Sequence, residues 1–248
     1  MRQYHNPLYD DHHDLPIYAN IPKISYVLSS SPRCGSTYLA ALISQTKTLG
    51  APHEYLAEDN FRMMQVRFQT PDDHSTMREI VRRRTSELGV FGVKLHANQL
   101  AQLRYMQSLG HNFEISKYVF IQRKDRIRQA ISYAKAVLSQ EWIAIENYSH
   151  PESGTINSNK IDVEGMLGNI DRENNDWLAF FSDKGIDPLI VFYEDVLENP
   201  QCEVDRIAQW LGVPSGQVDQ SKVPLKRQSN EETEEIIRSF RAKVGSSN

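Results

Sequence analysis

The chain has 248 residues, 40% of them hydrophobic and 24% charged, with a formal net charge of −4 and two cysteines. That length supplies one α/β domain with a sizeable core and makes two domains hard to fit. The acidic balance argues against a general nucleic-acid partner. No apolar run is long enough for an integral membrane segment, and Cys34 and Cys202 make no disulfide framework. The polar start, with Asp10, Asp11 and Asp14, lacks the basic and apolar regions of a secretory signal, so a cytoplasmic location is expected.

Residues 1–23 read as an irregular N-terminal arm broken by Pro7, Pro16 and Pro22, ahead of one domain over 24–248. In the arm, Asp11-His12-His13-Asp14 has no partner cluster, and no metal is expected. Ile24–Ser29 is short, apolar and β-branched and predicts a buried strand. A turn over Ser31–Gly35 follows, then a helix over Ser36–Thr46 with Leu39, Leu42 and Ile43 on one face. Helices are predicted over Phe61–Phe68 and Thr76–Leu88. Arg82-Arg83-Arg84 in the second reads as solvated surface, since three consecutive residues cannot share a helix face.

Val90–Leu95 predicts a strand and Asn98–Leu109 a helix stopped by Gly110. Tyr118–Gln122 is a strand and Asp125–Leu138 its helix. Residues 139–160 are polar and irregular. Gly165–Lys184 is helical, with Trp177, Phe180 and Phe181 as core. Leu189–Tyr193 is a strand, Pro200–Leu211 a helix opened by proline, and Glu231–Lys243 a last helix. Strands alternating with helices imply an α/β, three-layer domain with a mostly parallel central sheet. Ligands in such folds bind beyond the carboxyl ends of the strands.

The residues after the first strand suit an anion. A strand, a tight turn and a helix start present free N–H groups and a favourable dipole. Gly35 permits close backbone approach, Ser36 and Thr37 offer hydroxyls, and Arg33 supplies a cation with several donors. The turn has one glycine and no lysine before the serine, so it is not the G-x-x-x-x-G-K-[ST] loop of an ATP- or GTP-hydrolysing enzyme. An ordinary βα turn with a Ser cap, a P-loop kinase and a non-catalytic nucleotide-binding protein stay open at this point.

Ser31-Pro32-Arg33-Cys34-Gly35-Ser36-Thr37 resembles the 5′-phosphosulfate loop of sulfotransferases, in the [ST]-P-R-[TS]-G-S-T form of the mycobacterial trehalose sulfotransferase family. Cys34 departs from the usual Thr or Ser. Arg123-Lys124-Asp125 with Gln129-Ala130-Ile131-Ser132 is similar to that family's R-x-D-x-x-x-Q-A-x-S segment, and Gly50-Ala51-Pro52-His53-Glu54-Tyr55-Leu56 to its G-x-P-x-E-Y-[FL] stretch. Phe91-Gly92-Val93-Lys94, Tyr193-Glu194-Asp195-Val196 and the segment around Arg227-Gln228 fit further blocks, the Tyr193 block read as structural.

The resemblance implies a P-loop-NTPase-like fold and a sulfuryl donor, 3′-phosphoadenosine-5′-phosphosulfate (PAPS). It implies a hydroxyl acceptor on a carbohydrate or glycolipid, in-line displacement without a metal, and a homodimer. It assigns Pro32, Arg33, Cys34, Gly35, Ser36 and Thr37 to the 5′-phosphosulfate, and Arg123, Ser132 and Arg227 to the 3′-phosphate. Arg33 would also stabilise charge on the sulfuryl oxygens. Glu54 would be the general base, with His53 the runner-up because other sulfotransferases use a histidine.

Overall fold

The computed structural model describes residues 6–108, 114–143, 160–225 and 231–245. Among these, four strands, β1 (Ile24–Ser30), β2 (Val90–His96), β3 (Ile115–Gln122) and β4 (Leu189–Phe192), form one parallel sheet in the order β2-β1-β3-β4. Side chains alternate across a strand. Val27, Phe91, Val93 and Phe120 therefore enter one core, while Tyr26, Leu28, Val119 and Ile121 enter another. Burial on both faces is why these strands read as near-continuous apolar runs.

Helices α1 (Ser36–Thr46), α7 (Tyr193–Glu198) and α8 (Pro200–Leu211) cover one face. On the other lie α2 (Glu58–Phe68), α3 (Asp73–Arg84), α4 (Leu100–Ser108) and α6 (Val163–Lys184). Helices α5 (Arg126–Ser139) and α9 (Glu231–Gly245) join α6 in a third cluster through Ala130, Ile131, Ile170 and Ile237. The three-layer α/β arrangement is the expected one. The strand order switches direction between β1 and β3, where ligand crevices open in such folds.

Several boundaries differ from expectation for local reasons. α3 begins at Asp73 because the Asp72 carboxylate accepts the Ser75 N–H at 2.6 Å, an N-cap. It stops at Arg84 rather than Leu88, since the Ser86 N–H donates to Val90 O and starts the turn into β2. Tyr193 opens α7 instead of ending β4.

Arg82-Arg83-Arg84 is not uniformly solvated. The Arg84 side chain is 0% exposed. A buried guanidinium needs acceptors, and the N-terminal arm supplies them. Arg84 donates to His13 O at 3.0 Å and to Tyr9 O and Asp10 O at 3.4 Å, and pairs with Asp14 at 3.0 Å. Leu8 and Tyr9 of the arm are buried in the same core. Among the described residues no helix is long and apolar enough to cross a membrane.

Candidate active site

β1 delivers the chain into the turn Ser31–Gly35, and the backbone there leaves ordinary territory. Arg33 has φ 63° and Gly35 φ 95°, both left-handed. A Cβ on Gly35 would sit 2.1 Å from the Tyr193 ring, so glycine is required twice, for conformation and for space. Gly35 is the N-cap of α1 and supplies no side-chain cap, which leaves the first N–H groups of the helix without the usual side-chain acceptor. Gly35→Ala should therefore cost about 1–2 kcal/mol in backbone strain alone, and more for the displaced ring. A melting temperature lowered by roughly 2–8 °C is expected by calorimetry; an unchanged one would show that the turn relaxes freely.

The turn is held from α5. Gln129 Nε2 donates to Ser31 Oγ at 3.1 Å and to Pro32 O at 2.8 Å. Cys34 points down into the core at 0% exposure, and burial pushes its thiol up, so it is a packing residue rather than a nucleophile. Ser36 is also buried, at the first turn of α1.

Two groups of polar side chains meet at this carboxyl edge. In the first, Arg33 Nε donates to Ser132 Oγ at 2.9 Å, and the Arg33 guanidinium also donates to Trp142 O. Arg123, just past β3, donates to Arg33 O at 3.2 Å, and its guanidinium lies 4.9 Å from the Tyr193 ring centroid. Arg123 Nε has no hydrogen-bond partner among the described residues, and the Glu194 carboxylate is 3.9 Å away. Burial, and next Arg123, lower the Arg33 guanidinium to about 10. Two arginines this close, one with a buried donor to spare, suit a dianionic group such as a phosphate. The separately nominated Arg33, Arg123 and Ser132 are thus brought together. Arg227 lies outside the described residues.

The second group lies on the β2 side. Lys94 Nζ donates to Thr37 Oγ1 at 3.1 Å and pairs with Glu54 Oε2 at 2.7 Å. Gln99 Nε2 donates to Glu54 Oε1 at 3.0 Å, and His96 Nε2 stands 3.7 Å from Glu54 Oε2. The His96 ring is anchored by Nδ1, 3.2 Å from Ser30 O. Burial alone would push the Glu54 carboxyl up. Lys94, His96 and Gln99 outweigh it and hold the carboxyl at about 2. His53 goes elsewhere. Its ring is buried among Tyr9, His13 and Tyr55, and burial holds it well below the usual histidine range.

The Glu54 shift has a pH signature. A carboxyl titrating at about 2 instead of 4.5 favours the folded state at every pH above the higher value. That gain disappears as pH falls from 4.5 through about 2. In urea melts, the stability gap between the natural chain and Glu54→Gln should be constant above about pH 5 and close toward pH 2. A gap independent of pH would mean that Glu54 is not held this way.

The cation beside Glu54 is thus Lys94, whereas the Arg33 side chain turns toward Ser132. Sequence reasoning placed Lys94 near this edge without giving it a role, and did not single out His96 or Gln99. The signal was available, since His96 ends a strand pointing at the site and Gln99 lies in the turn just after it.

Residues 25–243 match the Stf0 sulphotransferase family. The chain is 26% identical to a trehalose 2-sulfotransferase of Mycobacterium tuberculosis, over 88% of this chain and 95% of that protein. Among solved structures it is similar to a sulfotransferase from Alicyclobacillus acidocaldarius, with TM-score 0.48, 14% identity, and 89% and 92% of the two chains covered. It is also similar to the sulfotransferase domain of the Synechococcus PCC 7002 olefin synthase, with TM-score 0.45, 14% identity, and 92% and 98% covered. The family match runs through the turn after β1, Glu54, Lys94, Arg123 and Ser132, and on it the chain belongs to the Stf0 sulphotransferase family.

Proposed function

We propose that this sulfotransferase takes its sulfuryl group from PAPS and passes it to a hydroxyl of a carbohydrate or glycolipid. The observation that carries this reading is the meeting of Arg33, Arg123 and Ser132 beside the phosphate turn, next to the Thr37–Lys94–Glu54 chain. When bound, the donor supplies a sulfuryl group already activated by its phosphosulfate anhydride. The 3′-phosphate would lie against Arg123 and Ser132, with Arg33 between the two ends of the nucleotide. The α1 N-terminus, Gly35, Ser36 and Thr37 would take the 5′-phosphate.

Transfer of a sulfuryl group, like that of a phosphoryl group, depends mainly on positioning and on stabilising spread charge. Lys94, in contact with Thr37, is placed to take negative charge on the sulfuryl oxygens. Glu54 takes the acceptor's hydroxyl proton as the new S–O bond forms, and the nucleotide leaves with the electron pair of the old one. His96, across from Glu54, is the neighbouring group able to share that proton. The trehalose 2-sulfotransferase of M. tuberculosis makes trehalose the first acceptor to try.

Calorimetric titration tests the donor site. Adenosine 3′,5′-bisphosphate (PAP), the product left by PAPS, should bind tightly without added Mg²⁺, and ADP should bind weakly. Equal or absent binding of the two would remove the 3′-phosphate argument, and with it the donor.

A further inference from the structure

Glu54 is held from two sides. Its carboxylate is fixed from β2 and the turn after it, by Lys94 and Gln99. Its backbone is fixed from elsewhere. The Tyr9 hydroxyl accepts the Glu54 N–H at 3.0 Å and an Asn60 Nδ2–H at 3.0 Å. Asn60 Nδ2 also donates to Glu54 O at 2.9 Å. Tyr9 and Asn60 are 3% and 6% exposed, so water does not readily replace either contact.

Tyr9 belongs to the N-terminal arm, outside the 25–243 span of the family match. The arm is itself pinned. Tyr9 O accepts from Arg67 at 2.9 Å and from Arg84 at 3.4 Å, Asp14 pairs with both arginines, and the Tyr9 ring packs edge-on to Tyr55 at 5.8 Å. A fully buried arginine donating to its carbonyls ties the arm to the domain. A residue gripped at both its N–H and its C=O has its Cα, and so its side chain, placed to a fraction of an ångström. That is the tolerance a proton-accepting group requires.

We infer that Tyr9 is a positioning residue for Glu54, and that the N-terminal arm is therefore a working part of this chain's active site. This rests on the reading of Glu54 as the proton acceptor. Tyr9→Phe removes one oxygen atom and keeps the ring.

The test compares the natural chain, Tyr9→Phe, Glu54→Gln and the double variant. The Glu54 carboxyl is followed by carbon-13 NMR, with Glu54→Gln assigning the signal, and PAP release from PAPS is followed with trehalose as acceptor. In Tyr9→Phe the Glu54 midpoint should rise from about 2 toward the ordinary carboxylate range. Its kcat should fall on the order of tenfold with PAP affinity within about twofold, and adding the change to Glu54→Gln should slow the enzyme no further.

An unmoved Glu54 midpoint, or rate losses that multiply in the double variant, would overturn the inference. If Glu54→Gln is slow and Tyr9→Phe is not, the positioning role alone fails. If Glu54→Gln keeps its full rate, it is the proton-acceptor reading that fails. Should Tyr9→Phe not fold, amide exchange in the natural chain decides. The Glu54 N–H should be strongly protected, and exchange at the rate of an open loop would sink the idea.

Discussion

Glu54→Gln is expected to slow sulfuryl transfer by on the order of 10²- to 10⁴-fold without weakening PAP binding. The amide keeps the shape of the carboxylate and can still accept from Lys94, but it cannot take a proton. A carboxyl held at about 2 is a weak base in the resting enzyme, and the best proton acceptors titrate near the working pH. The cause of the depression answers the objection. The strongest hold on Glu54 is Lys94, and Lys94 also contacts Thr37 at the start of α1. Negative charge arriving at Thr37 shares the ammonium, and Glu54 becomes more basic at the moment its proton-accepting power is needed. Steady-state rates with PAPS and trehalose, beside PAP titrations, check this. Full activity in Glu54→Gln would take Glu54 out of the chemistry.

Arg123→Ala should act on binding instead. Removing one partner of a buried charged contact typically costs 2–5 kcal/mol, about 30-fold to several thousandfold in affinity. The loss should appear with PAP and be nearly absent with ADP, because Arg123 is assigned to the phosphate that ADP lacks. Residual turnover at saturating PAPS should stay within about tenfold of the natural chain, since the proposed assignment puts Arg123 at the nucleotide's far end from Glu54 and Lys94. An equal loss for PAP and ADP would move Arg123 to the shared 5′ end. An unchanged PAP affinity would remove it from the site.

Much of this was legible in the sequence because the cues were local. The helix over Ser36–Thr46 is announced by a strand, a turn and an apolar face, and that over Pro200–Leu211 by a proline at its first position and a glycine after its last. The six-residue α7 was not, because a helix that starts on the residue right after a strand shows no break in the apolar pattern. The parallel sheet followed from alternation, and the gathering of Arg33, Arg123 and Ser132 at one sheet edge from residues clustered after strands. The partners of those residues did not. Arg33 reaches Ser132 across 99 positions, and Tyr9 reaches Glu54 across 45. Pairings of that kind are set by how layers pack, and neither residue carries a mark of its destination. Arg84 shows the same limit, since its neighbours Arg82 and Arg83 are chemically identical and only helix phase turns one of the three inward.

The crowding of Arg33 and Arg123 bears on how much folded protein a cell would hold. Burial and the neighbouring Arg123 both work against the Arg33 cation, and the buried Arg123 Nε–H has no hydrogen-bond acceptor among the described residues. This corner is then a weak point in the folded chain. A ligand that settles it binds the native state and not the unfolded one, and at a hundred times its dissociation constant it adds about 2.7 kcal/mol of stability. On the proposed donor, the supply of bisphosphorylated nucleotide would govern not only how fast the enzyme turns over but how much of it survives proteolysis.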